Sequence, residues 1–118
     1  GEPVVQLADA SIRGHGGRNQ QLILAALARK LTNTTVPQQC MQRQFIMSAG
    51  TDGEDGPTDA AGAFINSNIV EQFLTSSLDL KSTMQRNDAY TFFDTLQALI
   101  KTGPTHTNVC DLRIVLSE

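Results

Sequence analysis

The residues best suited to chemistry lie in a loop at 48–62, which reads Ser-Ala-Gly-Thr-Asp-Gly-Glu-Asp-Gly-Pro-Thr-Asp-Ala-Ala-Gly. It follows the apolar run 45–47, which is predicted to be a buried strand. Its glycines allow tight bends and close approach to a ligand, and its carboxylates could coordinate a hard cation or orient a hydroxyl. The candidates are Asp52, Asp55 and Asp59, with Thr51 and Thr58 adding hydroxyls. A solvated turn whose aspartates only cap helices and turns fits the same residues.

A second candidate is the glycine-rich turn at 13–21, Arg-Gly-His-Gly-Gly-Arg-Asn-Gln-Gln, which precedes a predicted helix with Asn19 as N-cap. Backbone N–H groups at a helix start, here around Gly16 and Gly17, can bind anions. The planar fork of Arg18 suits phosphate or carboxylate. The pattern is neither a P-loop nor GxGxxG. A turn in which Arg18 merely pairs with a nearby aspartate explains it equally well.

A third polar loop, 102–108, reads Thr-Gly-Pro-Thr-His-Thr-Asn and offers hydrogen-bonding groups from Thr105, Thr107 and Asn108. Each of the three loops lies between a predicted strand and a predicted helix. Open α/β sheets place ligands where such loops meet at one edge. We therefore hypothesise that the three loops converge and form a single site.

The elements that must position these loops follow from the apolar spacing. Strands are predicted at 3–8, 44–49, 63–65 and 112–116. Helices are predicted at 20–31, 68–75 and 89–101, with a helical turn or two at 79–86 and a polar surface connection at 32–43. This alternation predicts a single α/β domain, with helices layered around a small parallel or mixed sheet.

Composition excludes several functional classes. The 118 residues carry 9 basic and 12 acidic side chains, a net charge of −3, without the basic stripe of a nucleic-acid-binding protein. The longest apolar run, 22–28, is far too short to cross a bilayer. Cys40 and Cys110 form no CxxC pair, which favours a reduced intracellular compartment, cytoplasmic or mitochondrial. The first residue is glycine rather than methionine, so we expect a piece of a longer protein.

Five blocks in order resemble the carboxyl-terminal domain of MOFRL-type glycerate kinases, which are related to hydroxypyruvate reductase-like proteins. The blocks are Gly-Glu-Pro-Val-Val at 1–5, Gly-His-Gly-Gly-Arg-Asn-Gln at 14–20, the stretch 48–63, Asn-Asp-Ala-Tyr-Thr-Phe-Phe at 87–93, and 102–109. The resemblance covers almost the whole chain. It departs at Gln21, where the family usually has glutamate, and at His106, where glycine is usual.

The resemblance implies a two-domain kinase that transfers the γ-phosphoryl group of ATP to a hydroxyl of D-glycerate, giving 2- or 3-phosphoglycerate. Residues 1–118 would be its carboxyl-terminal domain. A larger amino-terminal Rossmann-like domain would complete the active-site cleft and supply a lysine, so the fragment alone should be inactive. A domain separated from its partner should also expose an apolar face.

Roles for individual residues follow from this resemblance in the case of Arg18 and from residue chemistry for the others. Arg18 corresponds to the family's active-site arginine, and Asp52 is the second catalytic candidate. Asp52 and Asp55 would hold Mg²⁺ or orient the attacking hydroxyl. The substrate- and phosphate-binding candidates are Gly16, Gly17, Asn19, Thr51, Thr105, Thr107 and Asn108. Two other readings stay open: a non-catalytic binding or scaffold module, and an oxidoreductase of the hydroxypyruvate reductase type, although no nicotinamide site is recognisable.

Overall fold

A computed structural model describes residues 16–32 and 44–117. The predicted strand at 3–8, nearly all of the connection at 32–43 and the start of the turn at 13–21 lie outside these residues. The described elements are α1 (Arg18–Thr32), β1 (Gln44–Gly50), β2 (Gly62–Ile65), α2 (Ser67–Leu74), α3 (Leu80–Arg86), α4 (Ala89–Thr95), β3 (Leu99–Ile100) and β4 (Asp111–Ser117). None of the helices in these ranges is long and apolar enough to cross a membrane.

The four strands form one sheet in the order β3-β2-β1-β4, and all three pairings are antiparallel. The α/β class is confirmed, but the expectation of a parallel or mixed sheet is wrong. Parallel neighbours need a long crossover connection. Here β1 and β2 are joined directly by the loop 51–61, and β3 is joined to β4 by the loop 101–110, so each return reverses the strand direction.

The hydrophobic core lies between the helices and one face of the sheet. Side chains alternate between faces along a strand, so Ser48 of β1 and its partner Ala63 of β2 share this inner face. The fully buried core side chains come from α1, β2 and α4, and the largest are Ile23, Leu24, Leu27, Ile65, Phe92 and Phe93. The core therefore fixes α1 against β1 and β2.

The outer face of the sheet is also apolar. Phe45 and Phe64 stack there with ring centroids 5.8 Å apart. The pairing register places Leu112 opposite Ala49 and Leu116 opposite Phe45 on this same face. Leu112 and Leu116 are 48% and 59% exposed. This arrangement agrees with the expectation of an exposed apolar face.

The helix predicted at 89–101 was extended too far. The helix α4 ends at Thr95, and Gln97 adopts a left-handed backbone conformation with φ of 56°. The Ala98 N–H group then donates to the Phe93 carbonyl at 2.8 Å, which closes the helix end. Leu99 and Ile100 have apolar spacing that continues the helical pattern, yet they form the short edge strand β3.

Two helix starts also differ from the prediction. The helix α2 begins at Ser67, one residue before the predicted start, and is capped by Asn66, whose Oδ1 accepts the N–H of Ile69 at 3.0 Å. The helix α1 begins at Arg18, so Asn19 lies inside the helix and does not cap it. Its cap is Asp55 of the loop 51–61, which we call the acidic loop. This is a long-range contact, and local spacing does not reveal it.

Candidate active site

The three polar loops meet at one end of the sheet, which we call the rim. The strand β1 ends there at Gly50, opposite Asp111 at the start of β4. Gly62, the first residue of β2, pairs with Ile100 at the end of β3. The loops 51–61 and 101–110 therefore leave the sheet at the same end, and the start of α1 joins them through the contacts described below.

Hydrogen bonds join the acidic loop to the loop that precedes β4. The Thr105 N–H group donates to the Asp52 carbonyl at 3.2 Å, and the Thr105 hydroxyl donates to the Thr51 carbonyl. The Thr51 N–H group and hydroxyl both donate to the Cys110 carbonyl, at 3.0 and 2.7 Å. Convergence of the three loops is thus confirmed for the part of the chain that the structure describes.

The carboxylate of Asp55 caps α1. Its Oδ1 accepts the Asn19 N–H group at 2.9 Å, and its Oδ2 accepts the Gln20 N–H group at 2.8 Å. These are N–H groups of the first turn, which have no partner within the helix. Asp55 is 1% exposed. The geometry of Asp55 is that of a helix cap, and the metal-binding role expected of it stays a prediction.

The close approach of the acidic loop to α1 requires glycine at position 17. A Cβ atom added to Gly17 would lie 2.4 Å from both the Cγ and the carbonyl oxygen of Asp55, far inside van der Waals contact. Gly17 therefore serves the packing of Asp55 against the helix start. The anion that occupies this helix N-terminus is the protein's own carboxylate.

Asn19 is fully buried and connects three elements. Its Nδ2 donates to Asp111 Oδ1 at 3.1 Å and to Asp55 Oδ1 at 3.2 Å. Its Oδ1 accepts the hydroxyl of Ser48. Because both ends of this side-chain amide have internal partners, Asn19 acts as a structural bridge, and the ligand contact expected of it stays a prediction.

Arg18 forms a bidentate ion pair with Asp111. Its Nε donates to Asp111 Oδ2 at 2.8 Å, and its Nη2 donates to Asp111 Oδ1 at 3.0 Å. The Asp111 side chain is 0% exposed, whereas that of Arg18 is 37% exposed. The pairing with an aspartate that the sequence allowed is therefore present, and it holds a partly exposed guanidinium at the rim.

The two buried carboxyls are expected to titrate in opposite directions. Hydrogen bonds from Arg18 hold the pKa of Asp111 below its usual value, with a further lowering by Asn19. Burial raises the pKa of Asp55, although hydrogen bonds from Asn19 and Gln20 oppose the shift. One group favours its charged form in the folded protein, and the other favours its neutral form.

This difference predicts opposite pH dependences for two variants. A lowered folded pKa means that the stability contributed by Asp111 is present above its unfolded pKa of about 3.9 and is lost as the pH falls through the folded value. A raised folded pKa means that the contribution of Asp55 grows as the pH falls. In denaturation of the full-length protein between pH 7 and pH 3, the stability gap between wild type and Asp111→Asn should shrink with falling pH. The corresponding gap for Asp55→Asn should widen, and parallel changes in both gaps would contradict this assignment.

The contact between the acidic loop and the loop 101–110 predicts a difference between two glycine variants. Gly53 and Gly103 both have positive φ, 86° and 71°. A Cβ at Gly53 would lie 2.1 Å from the Gly103 carbonyl oxygen, whereas a Cβ at Gly103 meets nothing within 4 Å. Gly103→Ala should therefore cost only the backbone strain of about 1–2 kcal/mol. Gly53→Ala should cost more in urea denaturation and should also lower activity by separating the loops; equal effects would exclude a role for this contact.

The remaining predicted site residues divide into two groups. Thr51 and Thr105 use their hydroxyls to hold the rim together, and the ligand contacts expected of them stay predictions. Asp52, Thr107 and Asn108 lie nearer the surface. The Asp52 Oδ1 atom accepts the Glu54 N–H group at 3.0 Å, and the Asn108 Oδ1 atom accepts the Cys110 N–H group at 2.9 Å. Within residues 16–32 and 44–117, no three His, Cys, Asp or Glu side chains are close enough together to hold a metal ion.

Two residues of the site were missed by the sequence analysis. Asp111 directly follows the third polar loop, and a search for carboxylates near strand starts would have found it. Ser48 is a small polar residue at an inward position of an apolar strand, which is the usual signal of a buried hydrogen bond.

His106, which replaces the usual glycine, has φ of 59°, a backbone conformation that favours glycine.

Comparison with known proteins gives consistent matches over the whole chain. The MOFRL family profile matches residues 1–111. The chain is 40% identical to a glycerate kinase of Rattus norvegicus, over 98% of this chain and 21% of that protein. It is 38% identical to a D-glycerate 2-kinase of Thermotoga maritima, over 98% of this chain and 25% of that protein.

The fold comparison points to the same group. The crystal structure of a glycerate kinase (EC 2.7.1.31) from Thermotoga maritima superimposes with a TM-score of 0.82 at 37% identity, covering 100% of this chain and 26% of that one. The chain thus spans about a fifth to a quarter of the length of these relatives. With a profile match over 111 residues and the same fold in a related protein, the chain belongs to the MOFRL family.

Proposed function

We propose that this chain forms one wall of the active site of a glycerate kinase, which phosphorylates D-glycerate with ATP. The polypeptide would continue into an amino-terminal Rossmann-like domain, and the site would lie in the cleft between the two domains. The observation that carries the proposal is the partly exposed side chain of Arg18, whose guanidinium is fixed at the rim by Asp111. The named relatives that share this fold support the choice of substrate.

The chemistry of the rim suits phosphoryl transfer, which depends on alignment and charge neutralisation more than on covalent help from the protein. A guanidinium offers five N–H donors in one plane and can bind a carboxylate or a phosphoryl group. In the proposed role, Arg18 holds the glycerate carboxylate or the transferring phosphoryl group. Thr107 and Asn108 line the outer part of the same rim, where both are exposed.

Asp52 is the residue we propose for magnesium or for orienting the attacking hydroxyl. Its carboxylate is only partly buried, and the adjacent Asp55 is committed to the helix cap. Mg²⁺ in kinases is typically held by one or two carboxylates together with phosphate oxygens and water. A single carboxylate at the rim fits that pattern, with the nucleotide phosphates completing the coordination of the ion.

A magnesium titration tests this role. Replacing Asp52 with asparagine in the full-length protein keeps the shape and the acceptor for the Glu54 N–H group but removes the charge. We expect the Mg²⁺ concentration needed for half-maximal activity to rise about tenfold or more, because changes even to the residues that support metal ligands typically lower metal affinity by about 10- to 100-fold. Glu54→Gln, a change at the exposed neighbour, is the control. An unchanged Mg²⁺ titration would remove Asp52 from metal binding.

The overall activity is tested by assaying the full-length protein for ADP formation with D-glycerate and for NADH oxidation with hydroxypyruvate. We expect ADP formation that requires both ATP and glycerate, and no NADH oxidation. NADH oxidation without ADP formation would indicate the oxidoreductase reading. The absence of both activities would indicate a binding or scaffold module. Residues 1–118 alone should not turn over substrate.

A further inference from the structure

We infer that Asp111 is a positioning residue that sets the direction in which Arg18 presents its guanidinium to an anionic substrate. This inference rests on the proposed function of the rim. Asp111 was not among the residues that the sequence predicted for the site. Its side chain is 0% exposed, so it lies too deep to touch a ligand. It therefore acts through Arg18.

The bidentate pair with Asp111 restricts the geometry of the Arg18 side chain. An arginine side chain has many rotamers, and a bidentate pair with a carboxylate restricts both the position and the plane of the guanidinium. Asp111 binds the edge formed by Nε and Nη2, at 2.8 and 3.0 Å. The plane of the Arg18 fork is thereby fixed before any ligand arrives, which lowers the entropic cost of binding.

Asp111 is itself held in place by the fold. It is the first residue of β4 and pairs with Gly50. Its Oδ1 accepts Asn19 Nδ2 at 3.1 Å, and Asn19 is tied in turn to Asp55 of the acidic loop and to Ser48 of β1. A buried, satisfied network of this kind allows few alternative arrangements. The position of Arg18 is thus coupled to that of the acidic loop.

The negative charge of Asp111 lies beside the guanidinium of Arg18 and weakens its attraction for a substrate anion. An active site that uses this pair therefore depends more on the orientation of the arginine than on its net charge. Arg113 partly compensates, because its Nη2 lies 4.0 Å from Asp111 Oδ2, which places two guanidinium groups around one carboxylate. Arg113 pairs with Ser48 across the sheet and therefore lies on the same inner face.

A double-mutant cycle in the full-length enzyme tests this role. We expect Asp111→Asn to lower kcat/KM for glycerate by about 10- to 100-fold, because orientation of the fork is lost. In an Arg18→Ala background, the same change should alter kcat/KM less than twofold, since its target is absent. Asp59→Asn is the matched control, because Asp59 is also a carboxylate with internal partners. It accepts a hydrogen bond from Tyr90 of α4 at 2.6 Å and forms an ion pair with Lys101, after β3, at 3.5 Å. Its effect should be the same in both backgrounds.

A second measurement does not depend on activity. The Nε–H proton of Arg18 should be protected from solvent exchange in the NMR spectrum of the wild type and should exchange at least tenfold faster in Asp111→Asn. If the enzyme does not phosphorylate glycerate, the proposed function fails while this signal still reports on the orientation of Arg18. Asp111→Glu, which keeps the charge but moves the fork, should give an intermediate kcat/KM and serves if Asp111→Asn does not fold. An equal loss from Asp111→Asn with and without Arg18, or unchanged Nε–H protection, would overturn the inference.

Discussion

Replacing Arg18 with alanine in the full-length protein should lower kcat for glycerate phosphorylation by about 10²- to 10³-fold, the typical cost of removing a donor aimed at developing charge. The effect should fall mainly on kcat, because an interaction that strengthens in the transition state is lost. Arg18→Lys should recover only part of the activity, since an ammonium group cannot form the two-pronged pair with Asp111. Steady-state kinetics with D-glycerate and ATP measure both variants.

The matched control for Arg18 is Arg29, an exposed arginine in the last turn of the same helix. Arg29→Ala removes the same charge from α1 at the end remote from the rim, and its kcat should stay within twofold of wild type. Circular dichroism spectra of both variants check that the fold is kept. Near-normal turnover in Arg18→Ala would remove Arg18 from the mechanism, together with the proposal that depends on it.

Replacing Asp55 with alanine should destabilise the protein by about 3 kcal/mol. Part of the cost is the loss of a helix cap, about 1 kcal/mol, and the rest is the burial of N–H groups left without an acceptor. The affected groups are the N–H groups of Asn19 and Gln20, in residues that are both 0% exposed. The change also removes the link between α1 and the acidic loop, so activity should fall with stability. Urea denaturation of wild type and variant measures the difference.

Asp79 offers a matched control for Asp55, because it is also an aspartate cap. Its Oδ1 accepts the Ser82 N–H group at 3.0 Å at the start of α3, but the residue is exposed and belongs to its own helix. Asp79→Ala should therefore cost only about 1 kcal/mol. A loss from Asp55→Ala no larger than that from Asp79→Ala would mean that the long-range cap contributes little to stability.

Local patterns predicted much of this fold correctly. The strand before the acidic loop, the amphipathic helices and the polar loops all follow from apolar spacing and from glycine and proline positions, which are properties of neighbouring residues. The prediction failed at 96–100, where apolar spacing continues a helix but the backbone turns at Gln97 and joins the sheet edge. This two-residue edge strand is stabilised by pairing with β2. The spacing of apolar residues along the sequence does not predict such a pairing.

The sequence by itself determined which residues could carry chemistry at the rim, since Arg18, Asp52 and the polar loops stand out by type and spacing. Tertiary structure alone decided how the carboxylates are used. Asp55 and Asp52 are three residues apart in one loop, yet Asp55 is buried against the start of α1 while Asp52 stays near the surface. Asp111 pairs with Arg18 across 93 positions of the chain. Both pairings have the same physical reason. A charge or N–H group that is buried loses its hydrogen bonds to water and is stable only when the fold places a partner beside it.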